Sequence, residues 1–258
     1  MSIDDAGRPV GGGASFPGGV SVSHLKVYDW PAPDLDGVTG GGSPHLHTVS
    51  GEAYVVLGGH GRVQTISSEG YAEQELRAGT VFWFTPGTVH RLVNDGDLEI
   101  LVVMQNAGLP EAGDAVLTMP SQILADPDRY AEAVALPVAG AAPEEIAAAA
   151  RRRRDLALEG YATLRADLER DGIDALHRLH EAAAQLVRAK VPGWQQTWAG
   201  SVGAQARAAE DAMTSLAQGL AGHLAGAATH VTTARPGPRT AGMCGWLRTY
   251  PLPPLAEA

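Results

Sequence analysis

The sequence predicts a mainly β plus α fold, with an antiparallel β-barrel over residues 20–120 and a helical bundle over residues 121–235. Two observations carry this reading. Residues 1–120 are rich in Gly, Val and Thr and hold 5 basic and 14 acidic side chains, whereas residues 121–258 are alanine-rich and hold 14 and 15. The apolar runs also change character, from short runs cut by turn residues to repeats at helical spacing. At roughly 100–200 residues per domain, a chain of 258 residues allows one large domain or two small ones.

The elements follow in order. Residues 1–19 are Gly-rich with no basic segment leading into an apolar one, so they read as a flexible N-terminus and not as a signal peptide. Residues 52–57, 81–84 and 98–104 combine β-branched and aromatic side chains between Gly, Asn and Asp, which marks strands. Their close spacing predicts an antiparallel barrel or sandwich. A short helix is expected near residues 121–135. Pro143 with Glu144 and Glu145 then starts a long helix, since proline suits the first turn and acids favour the positive end of the dipole. It runs to Asp171, with Gly172 as the stop. A second helix covers residues 173–191 and stops at Pro192, and a third covers 203–224. The apolar stripes Leu156, Leu164, Leu168 and Ile173, Leu176, Leu179 cannot be buried by either helix alone, so both must pack on each other or on the barrel. The basic run 151–154 reads as a solvated helical stretch with local ion pairs.

Residues 236–258 form an extended tail, expected to return to a sheet edge beside residues 25–28. Leu25, Lys26, Val27 and Tyr28 resemble Leu247, Arg248, Thr249 and Tyr250. Two readings of this likeness stand: chance between amphipathic strands, or two termini pairing in the same sheet system.

Composition narrows the function classes. Apolar residues make up 45% and charged residues 19%, an ordinary globular balance. A net charge of −10 argues against nucleic acid and anionic membranes, which both demand a basic face. Cys244 is alone, so an intrachain disulfide and a four-cysteine zinc site are excluded. No apolar run approaches the roughly 20 residues that span a bilayer. The expectation is a cytoplasmic protein that binds a small molecule.

The chemistry sits in the histidines. His45 and His47 are two apart on a strand and face the same side. Glu52 opens the next apolar run, where a carboxylate is costly to bury alone and is stabilised beside a cation. His90 follows a Pro86-Gly87 turn. His24, His60, His177, His180, His223 and His230 read as exposed or core-edge groups; His177 and His180 lack the H-E-x-x-H pattern of zinc proteases.

These segments resemble the cupin superfamily, of the single-domain conserved-barrel type. The first cupin motif, G-x5-H-x-H-x(3,4)-E-x6-G, is matched by His45, His47, Glu52 and Gly59, with Gly40 one residue closer than the pattern. The second, G-x5-P-x-G-x2-H-x3-N, is matched by Gly79, Gly87, His90 and Asn94, with Thr85 in place of proline and Pro86 beside it. The likeness covers residues 20–118 and leaves out the helical part. It implies a jelly-roll barrel in which His45, His47, Glu52 and His90 bind one divalent metal. Such a donor set suits iron, manganese, nickel, copper or zinc, and suits magnesium or calcium poorly. Tyr54 and Val56 share the parity of Glu52 and are expected to line the substrate pocket.

Cupins include oxygenases, sugar isomerases and epimerases, decarboxylases, storage proteins and ligand sensors, so the fold does not fix the function. The first expectation is a metalloenzyme acting on a small organic molecule, with a dioxygenase ahead of an isomerase or epimerase. The alternative is a non-catalytic module that binds or senses a small molecule. A homodimer that covers an edge strand is expected in either case.

Overall fold

The computed structural model describes residues 2–3, 9–10, 15–137 and 140–251. β1 (Ser2–Ile3) and β2 (Pro9–Val10) pair with each other, apart from the main sheet. The main sheet has ten strands: β3 (Ser21–Val27), β4 (Gly40–Gly41), β5 (His45–His47), β6 (Glu52–Ser67), β7 (Gly70–Arg77), β8 (Val81–Phe84), β9 (Val89–Met104), β10 (Ala115–Leu117), β11 (Thr240–Ala241) and β12 (Gly245–Thr249).

β6 and β9 are its spine. They pair antiparallel from Glu52↔Met104 to Ile66↔Val89, and the register slips between Val56 and Gly61. That corner splits the sheet into two layers. The first runs β8, β6, β9, β3, β12, β11; the second runs β7, β6, β9, then β4 and β5, then β10. The corner needs glycine. Gly59 has φ +68°, and a Cβ there would lie 2.1 Å from the Asp97 carbonyl oxygen. Asn94 braces the turn opposite: its Oδ1 accepts from the amides of Gly96 and Leu98, and its Nδ2 donates to the Val27 carbonyl. Leu25, Tyr54 and Ile100 from the first layer meet Val63, Leu76 and Leu92 from the second in one core.

The expected antiparallel β domain followed by helices is present, and its barrel is not closed. The hydrogen-bonded path ends at β10 on one side and β11 on the other, because the two layers are joined through β6 and β9.

The helices are α1 (Ser121–Leu124), α2 (Pro127–Val134), α3 (Pro143–Asp171), α4 (Asp174–Val187), α5 (Val191–Gly200) and α6 (Val202–Ala217). Strand alternation turns Leu46, Ile66 and Val89 to the outer face of the second layer. There they pack with Tyr161 and Leu164 of α3 and with Leu176 and Leu179 of α4. Burying each such aliphatic side chain stabilises by about 1.5–3 kcal/mol. α3 ends at Gly172, φ +64°.

Two helix boundaries differ from expectation. Pro192 lies in the first turn of α5 and starts that helix, since its missing N–H is no loss there. α6 ends at Ala217, just before Gly219 at φ +72°.

The basic run also differs. Arg153 and Arg154 are buried, and they satisfy backbone carbonyls instead of facing solvent. Arg154 donates to the carbonyls of Trp30 (3.0 Å), Gly41 (3.1 Å) and Pro31 (3.1 Å), while Arg153 donates to that of Gly242 (2.6 Å). The chain after α6 returns to the sheet: β12 pairs antiparallel with β3, with Leu247 opposite Leu25. Among the described residues, no helix is long and apolar enough to cross a membrane.

Candidate metal centre

The site lies between the two layers. His45 and His90 are directly opposite across the β5·β9 ladder, so both rings enter from the second layer on one face. His47 joins them two residues along, while Leu46 between them faces the helices. Glu52 is the first residue of β6 and reaches in from the first layer, opposite Phe84 and Met104. Pairing within the turn helps seat the strand: the Gly87 amide donates to the His47 carbonyl at 2.8 Å. One donor atom from each of His45, His47, Glu52 and His90 falls within 4.8 Å of the others, and all four side chains are buried.

The outward nitrogen of each imidazole is held. Nδ1 of His45 donates to the Ser43 carbonyl at 2.9 Å, and Nδ1 of His90 to the Thr88 carbonyl at 3.1 Å. Nδ1 of His47 donates to Oδ1 of Asp114 at 2.6 Å. With the Nδ1 protons so placed, all three rings turn Nε2 inward, which offers a lone pair whenever the ring is neutral. The Nε2 atoms of His45 and His90 are 3.1 Å apart. Two lone pairs at that distance repel unless a cation lies between or beside them.

Glu52 gives the same signal. Its Oε2 is 3.3 Å from Nε2 of His47 and 3.2 Å from Nε2 of His90, yet it is buried without a hydrogen-bond partner. A buried, unpartnered carboxylate oxygen facing three convergent imidazoles fits a divalent cation of the transition series.

Electrostatics agree in direction. Burial, and then the nearby His90 and His47, push the His45 imidazole well below its ordinary range. For His47 burial also opposes charge, but the Asp114 and Glu52 carboxylates outweigh it and raise the ring to about 9. Burial would raise Glu52, and the His47 and His90 imidazoles beside it instead hold its carboxyl well below the usual range. The site is therefore poised to carry positive charge in its centre.

The centre opens into a cavity of about 280 Å³, with His45, His47 and Glu52 in its wall and His90 fully buried behind. Tyr54 and Val56 point inward with Glu52 but sit in the core, and neither is among the residues lining this cavity. The Tyr54 hydroxyl is buried without a partner, and burial followed by the charge of Glu52 pushes it up.

Two residues at the site escaped the sequence reading. Asp114 is fully buried, and besides His47 it takes the Ser50 amide on Oδ2 at 3.0 Å. The only signal for it was an acid at the head of the short apolar run that became β10. Cys244 is buried in the cavity wall with its Sγ 3.9 Å from Nδ1 of His45. Burial, and then the charge of Glu52, push its thiol up to about 12.

The other histidines stay outside the centre. His24 pairs with Glu99 at 3.1 Å, His177 with Asp174 at 3.7 Å, and His180 donates to the Gly87 carbonyl at 2.8 Å. His60, His223 and His230 are exposed.

Residues 37–104 match the family described as the cupin domain. No curated protein sequence matches the chain. Among solved structures, the Drosophila melanogaster CENP-C bound to CAL1 is similar at 18% identity and a TM-score of 0.25, over 33% of this chain and 59% of that one. The sugar 3,4-ketoisomerase QdtA from Thermoanaerobacterium thermosaccharolyticum in complex with TDP is similar at 15% identity and a TM-score of 0.27, over 33% and 57%. A cupin protein from Bacteroides fragilis is similar at 23% identity and a TM-score of 0.25, over 34% and 65%. The chain thus spans about three-fifths of the length of these structures.

Proposed function

From the premise that residues 37–104 are a cupin domain, we propose that this chain is a metal-dependent enzyme acting on a small organic molecule, with oxygenation as its first-ranked chemistry. His45, His47, Glu52 and His90 would hold the metal, and their four donors leave positions open if it is six-coordinate. The observation that carries the reading is access. His45, His47 and Glu52 belong to the wall of the same cavity, so a molecule in that cavity reaches the centre directly.

A bound redox-active metal would supply activation of dioxygen and polarisation of substrate oxygens. The chain's own residues do the rest. The Ser43 and Thr88 carbonyls and Asp114 orient the three imidazoles through Nδ1. Glu52 supplies the negative charge that complements the metal. The mostly apolar wall excludes water, which strengthens every interaction inside.

The test starts with the metal. Purified protein reconstituted with iron(II), manganese or nickel should carry about one metal per chain by elemental analysis. His47→Ala should lose it while keeping the far-UV circular dichroism of the parent. Unchanged stoichiometry in that variant would overturn the site. The enzyme reading is tested by incubating metal-loaded protein with a metabolite extract, with and without dioxygen. Consumption of a metabolite only with both metal and dioxygen is expected; a metabolite bound but never consumed would leave a binding module.

A further inference from the structure

We propose that the cavity takes a small, uncharged, largely apolar molecule, and that the C-terminal strand β12 selects it; the proposal rests on the metal reading above. The cavity walls carry the argument. Leu25, Val102 and Met104 come from the sheet, and Met243 and Leu247 come from the C-terminal hairpin. Outside the metal group, the one charged side chain in the wall is Glu111, whose carboxylate is engaged by the Gly108 amide at 2.8 Å. None of the lining residues is Arg or Lys. The cations beside the cavity stay out of its wall: Lys26 faces Asp97 at 3.5 Å, Arg239 faces Glu99 at 3.6 Å, and Arg248, between Leu247 and Thr249 on β12, is exposed and does not line the cavity.

A ligand with a phosphate or carboxylate at the end remote from the metal would bury that charge without a counter-charge, which is strongly unfavourable. An apolar body instead gains about 25 cal/mol for each Å² removed from water. The Ser21, Ser23 and Thr249 hydroxyls also line the cavity and can serve an uncharged polar substituent. Size limits the ligand further. A volume of about 280 Å³ corresponds to roughly nine waters at about 30 Å³ each.

The selecting role of β12 follows from its alternation. Leu247 and Thr249 line the cavity, while Trp246, the neighbour of Leu247 on the strand's other face, meets the rings of Tyr28 and Trp30 edge-on. β12 lies outside the matched residues 37–104. The wall that discriminates substrates is thus contributed by a segment that joins the cupin domain only after the whole helical region.

The experiment compares two probes with one metal-binding head, hexanohydroxamic acid and adipic acid monohydroxamate, on nickel-loaded protein by calorimetry. They differ in the far end, methyl against carboxylate. The apolar probe is expected to bind at least tenfold more tightly. Leu247→Arg should bring the two affinities to within about threefold at unchanged nickel stoichiometry. Thr249→Lys, at an exposed rim position, should raise affinity for the acid-ended probe at least fivefold even if the first variant fails to fold. Equal or tighter binding of the acid-ended probe by the parent protein would overturn the ligand class, as would folded variants that leave the ratio unchanged. Failure of the parent protein to take up nickel would instead overturn the metal reading beneath it.

Discussion

Asp114→Asn tests how the centre is held from behind. The carboxylate of Asp114 is fully buried and serves two donors, Nδ1 of His47 at 2.6 Å and the Ser50 amide at 3.0 Å. An asparagine of nearly the same shape has one acceptor. The Ser50 amide pins that oxygen, so the NH2 faces Nδ1 of His47. Two donors cannot share the contact, and His47 is driven to the tautomer with its proton on Nε2, the nitrogen that would carry the proposed metal. Loss of such a carboxylate behind a ligating histidine lowers metal affinity about 10–100-fold. At about 1.4 kcal/mol per decade, that is about 1.4–2.8 kcal/mol. The charge-assisted hydrogen bond also contributes about 1.5–3 kcal/mol to the metal-free fold, so the melting temperature should fall as well. The assay is competition for zinc against a chromophoric chelator, with circular dichroism as the check on folding. A folded Asp114→Asn protein that binds zinc within twofold of the parent would refute the reasoning.

Three further outcomes are expected. In the metal-free protein His47 stays protonated up to about pH 9, so below that pH metal must displace a proton; affinity should rise with pH up to about 9, and calorimetry in buffers of different ionisation enthalpy should find close to one proton released per metal at pH 7.5. No buffer dependence would count against the inward-facing arrangement of His47. Gly59→Ala places a Cβ 2.1 Å from the Asp97 oxygen at φ +68°, and should cost at least about 1–3 kcal/mol, read as a lower midpoint in urea. Arg154→Met removes the donors for the Trp30, Pro31 and Gly41 carbonyls, each worth about 1–3 kcal/mol when left unpaired; hydrogen exchange should rise in residues 29–42, and unchanged protection there would show that the clamp is idle.

Much of the centre was legible because its signals are local. In β5, two histidines flank a leucine, and strand periodicity alone sends the rings one way and Leu46 the other. The same holds for α3, where Pro143, Glu144, Glu145 and Gly172 mark both ends within a turn. What stayed hidden depends on partners distant in sequence. Arg153 and Arg154 look like any charged helical stretch, and the carbonyls that bury them belong to residues 30, 31, 41 and 242. Asp114 has no motif of its own, since its role is defined by His47 across the β5·β10 pair. Parity placed Tyr54 and Val56 on the inner face, but parity is silent about depth. The cavity is lined instead by His45, His47 and Glu52 on one side and by Leu247 and Thr249 of β12 on the other. Pro192 illustrates a different ambiguity, because a proline between two helical patterns ends one or starts the next, and only packing decides.

Ser43 ties the C-terminal hairpin to the metal centre. Ser43 accepts Nδ1 of His45 on its carbonyl and donates its amide to the Met243 carbonyl at 3.0 Å. Met243 and Cys244 form part of the cavity wall. Their backbone is held in turn by Tyr28, whose amide donates to the Cys244 carbonyl at 3.1 Å and whose hydroxyl donates to the Gly242 carbonyl at 3.0 Å. Arg153 of α3 donates to that same Gly242 carbonyl at 2.6 Å. At about 0.5–1.5 kcal/mol net each, these four bonds to the hairpin amount to about 2–6 kcal/mol. The approach is also too close for any side chain at position 42, where a Cβ would lie 2.7 Å from that of Cys244. The wall therefore cannot move without breaking a bond to the segment that orients His45. The same constraint runs back through Gly242 to the buried arginine of α3. In this chain the helices do more than cover the outer face of the second layer: they fix the hairpin that shapes the cavity in front of the centre.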